Sequence, residues 1–198
     1  MFWTLARTAL VLNRRSRLEK TLPALLFFTD PERTRDIEAA AVRLPPGAAI
    51  VLRTFGAVDS EDMARRLVRI ARRRGLRLLI GADASLAARV GADGVHLPER
   101  LAHLAGPLRR RHPTWIVTAA AHGLRAARRP GAQAAVVSAI FPSRSPSAGA
   151  PIGALRLARI ARTARRPIYA LGGVNSVTAK RLLGVKLAGL AAVEALRT

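Results

Sequence analysis

The sequence predicts an α/β protein, a compact (β/α)8 TIM barrel over residues 23–198 preceded by a basic helical extension over residues 1–22. Three observations predict it. Short apolar runs alternate with amphipathic segments about every 20 to 25 residues, the pattern of parallel strands joined by helices. Eight such units follow one another, the number that closes a barrel. The chain has 198 residues, 50% of them hydrophobic, enough for one domain with a real core and too apolar for bulk disorder. An open doubly wound sheet is the other arrangement, but no G-x-G-x-x-G follows the first strand.

The N-terminal segment mixes apolar residues with Arg7, Arg14, Arg15 and Arg17. It lacks the long uninterrupted apolar region of a signal peptide, and reads as a basic amphipathic helix packed on the barrel. No apolar run is long enough to predict a transmembrane helix. Leu25–Thr29 is the first strand, and Asp30-Pro31-Glu32 reads as N-cap, first-turn proline and acidic first turn. Ile37, Ala40, Ala41 and Leu44 then share one helical face, ended by Pro45-Pro46. Ala49–Arg53 is the second strand. The next helix opens on Asp59, Glu61 and Asp62 and closes on Arg72-Arg73-Arg74-Gly75, as the helix dipole and C-cap rules require.

Strands follow at Leu78–Ile80, Gly94–Leu97, Trp115–Ala119, Ala134–Ile140, Pro167–Leu171 and Leu187–Val193. Helices are expected near Ser85–Val90, Leu101–Arg111, Leu124–Arg129 and Leu155–Arg165, with Asn175 capping one that ends near Gly184. Phe141–Pro151 is rich in Pro, Ser and Gly and reads as a long loop.

The formal net charge is +22, from 34 Lys and Arg against 12 Asp and Glu. Residues 100–198 hold one acid, Glu194. Such a balance suits anionic partners: nucleic acid, acidic lipid or phosphorylated ligands. No nucleic-acid motif is present, and aromatic residues for base stacking are scarce at 4%. The absence of cysteine excludes disulfides, thiolate metal sites and thiol catalysis; it suits a cytoplasmic location. Oligomeric state is open, a homo-oligomer included.

In a barrel the active site lies at the C-terminal strand ends, with phosphate commonly bound after strands seven and eight. Strand seven ends here in Leu171-Gly172-Gly173-Val174-Asn175. Paired glycines let backbone N–H groups approach an anion.

Three motifs stand in order: Gly91-Ala92-Asp93-Gly94-Val95-His96-Leu97, Ile140-Phe141-Pro142-Ser143-Arg144-Ser145 and Ala170-Leu171-Gly172-Gly173-Val174-Asn175. Together with Phe28-Thr29-Asp30 they resemble the thiamine phosphate synthase and TenI-type thiazole tautomerase superfamily over residues 23 to 196. The resemblance implies a (β/α)8 barrel, a link to thiamine biosynthesis, and small phosphorylated thiazole or pyrimidine ligands. The synthases join a hydroxymethylpyrimidine diphosphate to a thiazole phosphate with Mg²⁺, releasing diphosphate.

Position by position the pattern is incomplete. Arg53 keeps the arginine of the second strand, but the flanking Gln and Lys positions are Val51 and Phe55. The Asp ligands of Mg²⁺ fall on Ala82 and Leu101, which leaves Asp83 and Glu99 as the carboxylates able to replace them. The loop Lys falls on Pro146, and the final Ser on Val193 or Glu194. Ser143 and Ser145 occupy the two Thr positions that meet diphosphate, and Arg53, Arg100 and Arg144 can supply guanidinium forks. His122 stands where the tautomerase branch uses a histidine for proton transfer, a step suited to a side chain titrating near neutrality. His96 is expected to bond internally; His103 and His112 read as surface residues.

These residues leave three readings. One is a divergent synthase-like protein that couples the two substrates or binds one of them. The second is a tautomerase using His122. The third is a non-catalytic binder of a phosphorylated ligand or of nucleic acid.

Overall fold

The computed structural model of the chain describes residues 2–16, 21–34, 36–54, 56–143 and 149–193. Its strands are β1 Leu25–Phe28, β2 Ala49–Leu52, β3 Arg77–Gly81, β4 Gly94–Leu97, β5 Ile116–Ala121, β6 Ala134–Val137, β7 Ile168–Ala170 and β8 Gly189–Ala192. They form a closed parallel barrel in sequence order, β8 pairing back onto β1. Among the described residues seven α-helices accompany them: α1 Phe2–Ser16, α2 Ile37–Val42, α3 Ser60–Arg74, α4 Ala84–Val90, α5 Ala105–Arg111, α6 Leu124–Ala127 and α7 Gly153–Thr163.

The strands read as unbroken apolar runs because both their faces are buried. Alternate residues point inward: Leu26, Phe28, Val51, Leu79, Ile116, Val136, Tyr169 and Ala191 pack together inside the barrel. Their neighbours Leu25, Phe27, Ile50, Leu52, Val95 and Val117 face the helices. At the bottom the buried Tyr169 hydroxyl donates to the Pro23 carbonyl at 2.6 Å. The Gly91–Leu97 motif holds strands in register. Asp93 accepts from the Leu78 N–H and from Arg77, both at 2.8 Å, and a Cβ on Gly94 would collide with the Ile116 backbone.

Helix α1 is the expected extra helix. Leu5, Ala6, Ala9 and Leu12 are buried along one face, and Asn13 donates to the Ala188 carbonyl at 2.6 Å.

Three local expectations are corrected. Asp30 does not open the helix after β1; α2 starts at Ile37 and its cap is Asp36, which accepts from the Ala39 N–H at 2.8 Å. Asp30 is buried and ion-paired instead, because two guanidiniums reach it. After β7 the chain makes only a 3₁₀ turn, Thr178–Leu182, although Asn175 does cap its approach by accepting from the Val177 and Thr178 N–H groups. The helix expected at Leu101–Arg111 divides into a 3₁₀ turn, Glu99–Leu104, and α5; Pro107 lacks the N–H that would continue one ladder through both. His112 is half-buried, stacked on Trp115 with ring centroids 3.8 Å apart.

Candidate active site at the strand ends

The C-terminal strand ends open into a cavity of about 1500 Å³. The inward phase of β5 runs through Thr118 and Ala120 to His122, and that of β2 through Val51 to Arg53. The strand alternation therefore delivers these two side chains to the mouth. Both line the cavity, with Asp83, Ser143, Gly172, Gly173 and Val193. Arg144, Ser145 and Glu194 lie outside the described residues.

His122 is held by Glu99. One carboxylate oxygen, Oε2, accepts from the His122 backbone N–H at 2.9 Å and from Nδ1 at 2.8 Å. An ionised carboxylate only accepts, so Nδ1 carries a proton, and in the neutral ring the lone pair is on Nε2. Burial raises the Glu99 pKa, but the bonds from His122 and the charge of Arg129 outweigh it and hold the carboxyl below its ordinary value. Arg129 also donates to the Glu99 carbonyl at 3.0 Å.

Gly172 and Gly173 form a tight turn with φ of +90° and +63°. Their carbonyls accept from the Phe141 N–H and the Thr178 hydroxyl. Their N–H groups have no acceptor among the described residues. A Cβ on Gly172 would meet Ala139 at 2.8 Å, and one on Gly173 would strike the Pro142 carbonyl. Only glycine fits here, and it leaves two backbone donors beside the cavity.

Arg53 sits deep in the wall. It donates to the Thr29 carbonyl at 2.7 Å and pairs with Asp30 at 3.1 Å. Arg33 joins the same carboxylate at 2.8 Å. Burial works to raise the Asp30 pKa, but the hydrogen bond and charge of Arg33, then the charge of Arg53, bring it below the ordinary value. Behind them His96 is buried, its Nδ1 2.9 Å from the Thr118 hydroxyl and its ring edge-on to Phe28. Burial, then the charge of Arg53, pushes its pKa down to about 3. It is therefore neutral near pH 7.

The two carboxylates considered for Mg²⁺ both accept from protein donors. Asp83 caps α4, accepting from the Leu86 N–H at 2.8 Å, and Glu99 is turned to His122. Among the described residues no group of three or more His, Asp or Glu side chains gathers to hold a metal ion. Mg²⁺ is held by one or two carboxylates together with waters and substrate phosphates, and here each of the two carboxylates already accepts from the protein through one oxygen.

Sequence reasoning missed Arg33 and Arg181. Both line the cavity, and Arg181 lies over the Phe141 ring at 5.1 Å. The signal was weak: Arg33 stands five residues beyond β1 and Arg181 eleven beyond β7, in a chain full of arginine.

A closed parallel barrel with a glycine turn after its seventh strand and a histidine at the end of its fifth defines a class of strand-end active-site barrels. The family model described as Thiamine monophosphate synthase matches residues 25–196, and the chain belongs to that family. It is 30% identical over 170 residues to a thiamine-phosphate synthase from Roseiflexus sp. strain RS-1, covering 81% of this chain and 70% of that protein. It is also 30% identical over 180 residues to the thiamine-phosphate synthase of Chlorobium luteolum, covering 87% and 84%. The solved thiamine phosphate pyrophosphorylase from Pyrococcus furiosus matches with a TM-score of 0.73 at 23% identity, over 89% of this chain and 87% of that one; this likeness is one of fold.

Proposed function

We propose that the mouth of this barrel binds a phosphorylated thiazole and moves a proton on it. The observation that carries this reading is the Glu99–His122 pair, which presents the basic Nε2 at the cavity wall. In this reading the phosphate sits on the Gly172 and Gly173 N–H groups and near Ser143. His122 Nε2 takes a ring proton, and the resulting imidazolium returns it at another ring atom, so the net change is isomerisation. Glu99 fixes the tautomer of the neutral ring and stabilises the imidazolium once it forms. The reaction expels no diphosphate and needs no metal bridge.

Coupling to a pyrimidine diphosphate is the second reading. The relatives are named thiamine-phosphate synthases, and a cavity of about 1500 Å³ exceeds the roughly 300–1,000 Å³ that one small ligand fills. Purified protein is incubated with the less stable thiazole phosphate tautomer in D₂O. Isomerisation with solvent deuterium incorporation, lost in His122→Ala with ligand affinity kept, supports the first reading. Formation of thiamine phosphate from both substrates, without isomerisation of the thiazole alone, supports the second.

A further inference from the structure

At the mouth of the barrel the carboxylates are already committed to protein donors. Among the described residues two acids line the cavity, Glu61 and Asp83. Glu61 accepts from Arg65 at 2.6 Å and from Arg89 at 3.1 Å. Asp83 caps α4. Asp30 and Glu99 stand just behind the lining and hold Arg33, Arg53 and His122. Glu61 and Asp30 have both carboxylate oxygens taken up by protein donors, and Asp83 and Glu99 have one each.

Arginine takes the opposite part. Arg33, Arg53, Arg89, Arg100 and Arg181 line the same cavity, and they come from five different segments around its rim. Arg100 and Arg181 are exposed; neither forms an ion pair with a described carboxylate. Arg181 lies on the strand-seven side, close to the glycine turn. Guanidinium forks and backbone N–H groups match phosphate oxygens directly, and they need no coordination sphere.

We propose that this site binds diphosphate-class anions without a divalent metal, arginines Arg100 and Arg181 supplying the charge that a metal would supply. The inference rests on the reading that the mouth is the ligand site, but not on proton transfer. Free Mg²⁺ then competes with the protein for the anion. Bound to a metal, pyrophosphate carries less charge and presents fewer free oxygens to the guanidiniums.

The test is calorimetric titration of the full chain with inorganic pyrophosphate, in chelator and in millimolar Mg²⁺. Binding in chelator as tight as in Mg²⁺, or tighter, is the expected result. Arg181→Ala and Arg100→Ala should each weaken it by about tenfold, while Arg110→Ala, outside the lining, leaves it unchanged. Circular dichroism confirms that each variant is folded; both mouth residues are exposed, so their removal leaves the core intact. Tightening by Mg²⁺ of tenfold or more overturns the proposal. So does an absence of binding in both buffers, or an equal loss in Arg110→Ala, which would mark general attraction to a basic chain. Metal-free binding without thiazole isomerisation leaves this proposal standing and removes the proton-transfer reading; isomerisation with metal-dependent pyrophosphate binding does the reverse.

Discussion

Glu99 and His122 are joined twice through a single oxygen: Oε2 accepts the His122 backbone N–H at 2.9 Å and the imidazole Nδ1 at 2.8 Å. The double contact fixes where β5 ends and which nitrogen faces the cavity. Twenty-three residues separate the partners in sequence, so the barrel and not the local chain sets the geometry.

Glu99→Gln tests that relationship. The amide oxygen can still accept from both donors, but it carries no charge to stabilise an imidazolium. Isomerisation should fall by about 10²-fold, with His122→Ala at least as severe. Thiazole phosphate affinity, read by calorimetry, should stay within a few fold. An equal loss of affinity would assign Glu99 to binding.

His96 predicts a pH dependence of stability. Its folded pKa, about 3, lies below the ordinary 6.5. Between these values the unfolded chain binds the extra proton, so stability is complete above about pH 6.5 and declines as pH falls toward 3. The slope from this one group is about 1.4 kcal/mol per pH unit within that window. Urea unfolding at stepped pH measures it. His96→Gln should flatten the curve below pH 6.5, whatever its effect on stability at neutrality.

Gly173→Ala should cost about 1–3 kcal/mol, because alanine disfavours a φ of +63° and its Cβ would strike the Pro142 carbonyl. Relief requires the turn to move, which also displaces the N–H groups. Chemical denaturation reads the stability loss, and loss of phosphate-induced thermal protection reads the site. Protection equal to that of the unaltered protein would take the turn out of ligand binding.

Asp30→Asn removes the charge shared by Arg33 and Arg53. Arg53 is already disfavoured by burial, with Asp30 as its main support. The loss should be about 1.5–3 kcal/mol by urea unfolding. Asp30→Asn combined with Arg53→Met should recover part of it, since one of the two guanidiniums that lose the carboxylate is then gone.

Periodicity alone predicted eight strands in order and an added N-terminal helix, because burial on both faces leaves an apolar run that any reader can see. It erred where tertiary contacts overrode local signals. Asp30-Pro31-Glu32 has the composition of a helix start, yet Asp30 turns to Arg53 from 23 residues further on. The segment after Asn175 is capped as expected but too short to complete an α-helix.

The site divides in the same way. The glycine pair was readable from its place after strand seven, and Arg53 and His122 from the resemblance to the family's motifs. The occupation of Glu99 and Asp83 was not. Whether a carboxylate meets a metal, a helix N-terminus or an imidazole depends on what stands about 3 Å from it, and here the fold supplied a Leu86 N–H to one and His122 to the other. Sequence by itself determined the barrel, its glycine turn after the seventh strand and the scarcity of acids. Only the tertiary structure decided that the acids near the mouth are paired already, because hydrogen-bond partners come from segments that the chain brings together on folding.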